Sequence, residues 1–153
     1  MSVVEFSVEV AAPPELVWEV MSDPRNLPHW DRHIVGIHFR ERELGVGSRY
    51  RVVMGFLAVR ATIRAEILEW DPPVRSRVAL NGPIRGTVST TIGALPDERS
   101  LLRHEIEYAF AGPLGRLAAA SLNAMGGPQL ALRRGTLRQR DEIEARHLGE
   151  SSG

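Results

Sequence analysis

The chain contains no cysteine and no lysine; all 19 basic residues are arginines. Without thiols there are no disulfides, thiolate metal sites, thiol nucleophiles or redox switches. Without an amine side chain, Schiff-base and lysine-base chemistry are excluded as well. An excess of either charge is also missing, because 19 acidic residues cancel the arginines to a formal net charge of zero. With no basic excess there is no long-range pull toward phosphate, which argues against a nucleic-acid partner. Apolar runs fall short of the roughly 20 residues that a membrane span needs. The first residues lack the basic and hydrophobic segments of a signal peptide. The expectation is a soluble, cytoplasmic protein. What is present is an ordinary globular balance, 43% hydrophobic and 25% charged over 153 residues, enough for one domain and too little for two.

Residues 3–10 alternate, with Val4, Phe6, Val8 and Val10 opposite Glu5, Ser7 and Glu9. That period of two predicts a strand with one wet face. Ala12-Pro13-Pro14-Glu15 then opens a helix, with Pro in the first turn and Glu against the N-terminal dipole; Leu16, Val17, Val20 and Met21 form its apolar stripe and Trp18 widens it. Asp23-Pro24 caps a second, short helix closed by Leu27-Pro28-His29-Trp30. Extended runs follow over 34–40, 49–54, 59–67, 75–80, 85–94 and 101–110, separated by turn-forming Gly, Pro, Asn and Asp. After Gly112-Pro113 the period changes: Leu114, Leu117, Ala118, Ser121, Leu122 and Met125 recur at helical spacing. Gly126-Gly127-Pro128 should kink or interrupt that helix, which resumes from Gln129 to about Arg146. The domain is read as residues 1–148, with a flexible tail at 149–153. Short consecutive loops make the strands an antiparallel meander. The expected class is α+β: a curved seven-stranded antiparallel sheet around a long C-terminal helix, with two short helices after the first strand and space between sheet and helix.

This order of elements resembles the START-like, helix-grip superfamily, which includes polyketide cyclases/dehydrases and lipid-transport proteins. Three segments carry the match: Val8–Trp18 with Ser22-Asp23-Pro24, then Leu27-Pro28-His29-Trp30, then Leu44-Gly45-Val46-Gly47-Ser48, and the turn Glu69-Trp70-Asp71-Pro72-Pro73 is similar too. The resemblance implies a deep cavity for a hydrophobic or polycyclic small molecule, with no cofactor. It implies first a polyketide cyclase/dehydrase-like protein of natural-product biosynthesis and, as the alternative, a non-catalytic carrier or sequestering protein for a lipid or polyketide. The superfamily has no universal catalytic motif, and fold does not decide between enzyme and carrier.

The candidate site residues come from strand parity. On the last strand His104, Ile106, Tyr108 and Phe110 share one face and Arg103, Glu105 and Glu107 the other, which turns His104 and Tyr108 inward. As catalytic groups, an imidazole would take a proton from carbon between two carbonyls and a phenol would donate to the enolate. The bland alternative is two core residues with satisfied hydrogen bonds. Tyr50 and Met54, Ile37, Ile63, Leu80, Thr90 and Leu122 are the other expected ligand contacts, with Trp30 suited to a cavity entrance. Arg77 falls outside if Val78 and Leu80 face in, and inside if the register inverts. His29, Asp31 and His33 have a metal-like spacing, but Pro28 and the following strand break the helix that would align them; no metal site is expected. Gly45-Val46-Gly47 lacks the rest of a nucleotide-binding fingerprint. Arg133, Arg134, Arg138 and Arg140, followed by Asp141, Glu142 and Glu144, read as a solvated helix face with local ion pairs.

Overall fold

Alternation in the first residues becomes strand β1 (Ser2–Val10), and the proline pair starts helix α1 (Pro14–Met21). In α1, Leu16, Val17 and Val20 are buried as their spacing requires. Asp23 accepts a hydrogen bond from the Arg25 backbone amide and caps a 3-10 turn at Pro24–Asn26, which runs into the single turn α2 (Leu27–Trp30). Then come β2 (Ile34–His38), β3 (Arg49–Phe56), β4 (Val59–Asp71), β5 (Arg75–Asn81), β6 (Ile84–Leu95) and β7 (Arg99–Phe110). Two helices close the chain, α3 (Gly112–Ala124) and α4 (Pro128–Ser151). This computed structural model describes residues 1–56 and 58–151.

The strands form one antiparallel sheet in the order β1-β7-β6-β5-β4-β3-β2. The expected meander is present, with β1 returning to pair with β7. The C-terminal helix is divided where the glycines stand: Gly126 and Gly127 take φ of 103° and 93°, a left-handed backbone that side chains resist. Pro128 then begins α4, which runs on to Ser151 through residues 149–151 of the expected tail. Residues 152 and 153 lie outside the described residues.

Two apolar clusters hold the sheet to the helices. Val10, Leu16, Val17, Val20, Trp30, Ile92, Leu102 and Ile143 pack where α1 and the C-terminal half of α4 meet the sheet. Val52, Met54, Phe56, Ile63 and Ala118 pack beneath α3. Each large aliphatic or aromatic side chain so buried contributes about 1.5–3 kcal/mol.

Two local irregularities redirect side chains. The β2–β3 register shifts between Ile34 and Gly36, so Ile34 and Ile37, opposite Met54 and Val52, face the same side despite their opposite parity. The β4–β5 register shifts between Ile67 and Glu69, which lets both Ile67 and Trp70 face inward despite their opposite parity. Trp70 then meets Trp18 of α1 edge-on, with ring centroids 4.8 Å apart.

Candidate functional site: a cavity between sheet and helix

Between the two clusters the sheet and α4 stand apart, leaving a cavity of about 660 Å³. That lies within the range of roughly 300–1,000 Å³ usual for small-molecule sites. Its walls are mostly apolar, with Val52, Ile63, Val88, Ile106 and Leu132 prominent among them. Of the expected contacts, Trp30, Tyr50, Met54, Ile63, Leu80, Thr90, His104, Ile106, Tyr108, Phe110 and Leu122 all line it. Ile37 does not: on the edge strand β2 it pairs with Val52 and packs into the cluster beneath α3. Arg77 lies on the opposite face of the sheet, in a shallow polar depression shared with Arg75, Arg103, Glu105 and Glu107, so the register is the uninverted one.

One end of the cavity is built by stepping outward from the first cluster. On β6 and β7 the buried pair Ile92–Leu102 is followed two residues on by the pair Thr90–His104. On α4 the buried Ile143 is followed one turn back by Gln139. These three polar side chains meet. Gln139 Oε1 lies 2.7 Å from His104 Nε2, and Thr90 Oγ1 lies 2.9 Å from His104 Nδ1. A carboxamide oxygen only accepts, so Nε2 carries the proton; Nδ1 then holds the lone pair and accepts from the Thr90 hydroxyl. His104 is 4% exposed, and burial pushes its pKa below the ordinary value, although the Gln139 bond pulls the other way. The ring is therefore neutral, fixed in one tautomer, and engaged at both nitrogens.

Other polar groups in the wall are free. The Tyr50 and Tyr108 hydroxyls have no hydrogen-bond partner among the described residues. Burial raises the Tyr50 pKa to about 12, so it remains a protonated donor throughout the working pH range. The indole Nε1 of Trp30 is buried without an acceptor. Gln139, Trp70 and Trp30 Nε1 escape a reading of strand parity. Gln139 lies between two arginines on a polar helix, and Trp70 reaches the cavity only through the bulge.

His29 and His33 go to different partners: His29 Nδ1 lies 2.8 Å from Glu142 Oε1, and His33 Nδ1 lies 3.2 Å from Asp31 Oδ1. Among the described residues no group of three or more His, Asp or Glu is placed to hold a metal ion.

Residues 1–137 match the family of polyketide cyclases/dehydrases and lipid-transport proteins. The chain belongs to that family. No curated protein matches the sequence. Among solved structures, a Deinococcus radiodurans protein superimposes with a TM-score of 0.71 at 17% identity, covering 95% of this chain and 98% of that one. The Zhui aromatase/cyclase of Streptomyces sp. R1128 gives 0.66 at 20% identity, with 95% and 94% covered. A START superfamily protein of Mycobacterium smegmatis gives 0.61 at 21% identity, with 88% and 98% covered. At such identities these likenesses establish the START-like, helix-grip fold. Family and cavity together support a hydrophobic-ligand-binding protein. No helix among the described residues is long and apolar enough to cross a membrane.

Proposed function

We propose that the protein binds and carries a hydrophobic or polycyclic small molecule, a polyketide or lipid, in the cavity between the sheet and α4. The observation behind this reading is the state of the polar groups inside an apolar chamber. His104, the residue best suited to proton transfer, already spends its lone pair on Thr90 and its N–H on Gln139. A ligand meets it as a satisfied surface, with the Tyr50 and Tyr108 hydroxyls left to hydrogen-bond polar atoms on that ligand.

A polyketide cyclase/dehydrase activity without a cofactor is the second reading. It is favoured by the same chain of contacts: Thr90 lines the cavity and joins its hydroxyl to His104. A C–H proton between two carbonyls would pass to Thr90 Oγ1 as the hydroxyl proton passes to His104 Nδ1, leaving an enolate for the Tyr108 hydroxyl to stabilise. The proton returns with the departing hydroxide as water. The aromatase/cyclase among the structural neighbours supports it, and the apolar walls would contribute by holding the chain in a reactive fold.

Incubation with aromatic polyketides and fatty acids, followed by mass spectrometry of bound and released species, separates the two. Carriage predicts retention of the ligand unchanged. A product one water lighter, lost in His104→Gln while binding persists, would replace carriage by the cyclase reading.

A further inference from the structure

The α4 arginines do not behave as a uniformly solvated face. Arg140 pairs with Asp141 at 2.9 Å and Arg146 with Glu142 at 3.6 Å. Arg134 and Arg138, by contrast, line the cavity and have no carboxylate partner among the described residues. Arg134 reaches only the Met125 carbonyl, at 3.5 Å, and Arg138 only the Trp30 carbonyl, at 3.3 Å. They stand four residues apart, on one face of α4. Arg32, between α2 and β2, is a third cavity-lining arginine with no partner. The acid that lines the cavity with them is Asp31, whose Oδ1 is held by the backbone and ring of His33; Glu142, one turn from Arg138 on α4, is taken up by His29 and Arg146.

Arg32 and Arg134 are exposed and Arg138 is half-buried, so the three mark the rim of the cavity rather than its interior. In a chain with a formal net charge of zero, three unpaired guanidiniums against one engaged carboxylate are a local positive excess at the mouth of an apolar chamber. Below them the wall adds the buried Trp30 Nε1–H, which has no acceptor. Guanidinium and indole N–H groups only donate hydrogen bonds, and carboxylates only accept them. Gln139, beside Arg138 on α4, is already taken by the neutral, satisfied His104 cluster.

We propose that the ligand is an amphiphile with a terminal anion, a carboxylate on an aliphatic or polycyclic body, bound with its body in the chamber and its charge at Arg32, Arg134 and Arg138. This rests on the cavity being a ligand site, and the experiment keeps the two claims apart. Binding to the full chain is measured by tryptophan fluorescence, since Trp30 and Trp70 line the cavity. Two matched pairs serve as probes: dodecanoate with dodecan-1-ol, and anthracene-2-carboxylate with anthracene-2-methanol.

Solvated charges at a rim contribute modestly, so the acid should bind about tenfold more tightly than its alcohol in whichever pair binds. The preference should shrink between about 0.02 M and about 0.5 M salt as screening increases. Arg32→Gln/Arg134→Gln should bring the acid's affinity down to near that of its alcohol; both residues are exposed, so folding is not at stake. Equal affinity of acid and alcohol, or a preference that survives in the double variant, would overturn the anion site and leave the cavity reading standing. Binding of neither pair would overturn both.

Discussion

Replacing Gln139 by Leu removes the acceptor for His104 Nε2–H while nearly conserving volume. The lost bond is 2.7 Å long and joins side chains only 4% and 9% exposed, so water does not readily take its place. A buried donor left without a partner costs about 1–3 kcal/mol, more than the net gain of an ordinary hydrogen bond. Gln139→Leu should therefore destabilise the protein by about 1–3 kcal/mol, read as a lower urea midpoint with unchanged slope. The triple variant Thr90→Val/His104→Phe/Gln139→Leu exchanges the whole cluster for apolar groups and leaves nothing orphaned. It should lie within about 1 kcal/mol of the parent, far from the sum of the single changes. A Gln139→Leu protein within about 0.5 kcal/mol of the parent would refute the reasoning, because it would mean that water reaches His104.

Burial holds the His104 pKa below its ordinary value of 6.5, so in that window the unfolded chain binds the proton and the native state does not. Stability should fall as pH drops below that value, by up to about 1.4 kcal/mol per pH unit until the native pKa is reached, and be independent of this group at higher pH. Urea unfolding at about pH 5.5 and about pH 7.5 should show that part of the slope missing in His104→Gln. Gly86 on β6 has φ of 144°, and a Cβ there would collide with the Glu107 backbone carbonyl of β7. Gly86→Ala should cost several kcal/mol, on the order of 3 or more, and abolish soluble expression; a folded variant of near-parental Tm would contradict the register beside Tyr108.

The sheet was legible because alternation sets which face each strand buries. The inward direction of Tyr50, Thr90, His104 and Tyr108 follows from parity, whereas Arg77 stayed open in the sequence and is placed outside by the structure. Parity fails at bulges, where one extra residue exchanges the faces: Trp70 joins Ile67 on the cavity side, and Ile34 joins Ile37. Gln139 was not legible, since its partner is 35 residues away on another element and its own neighbours are arginines. The division of the C-terminal helix could be read from Gly126-Gly127-Pro128, because few other sequences so strongly oppose a continuous helix. The unpaired state of Arg134 and Arg138 could not, because nearby acids in sequence do not reveal which arginines they reach.

The most direct test is native mass spectrometry of the protein after exposure to fatty acids and aromatic polyketides, alongside Val88→Trp. Val88 lines the chamber opposite Ile106 on β7, so the indole would occupy ligand space without touching the His104 cluster's hydrogen bonds. The wild-type protein should retain a ligand mass and the plugged variant, folded to the same secondary structure, should not. A wild-type protein that retains nothing, or a plugged variant that retains the same ligand equally well, would contradict an internal binding site.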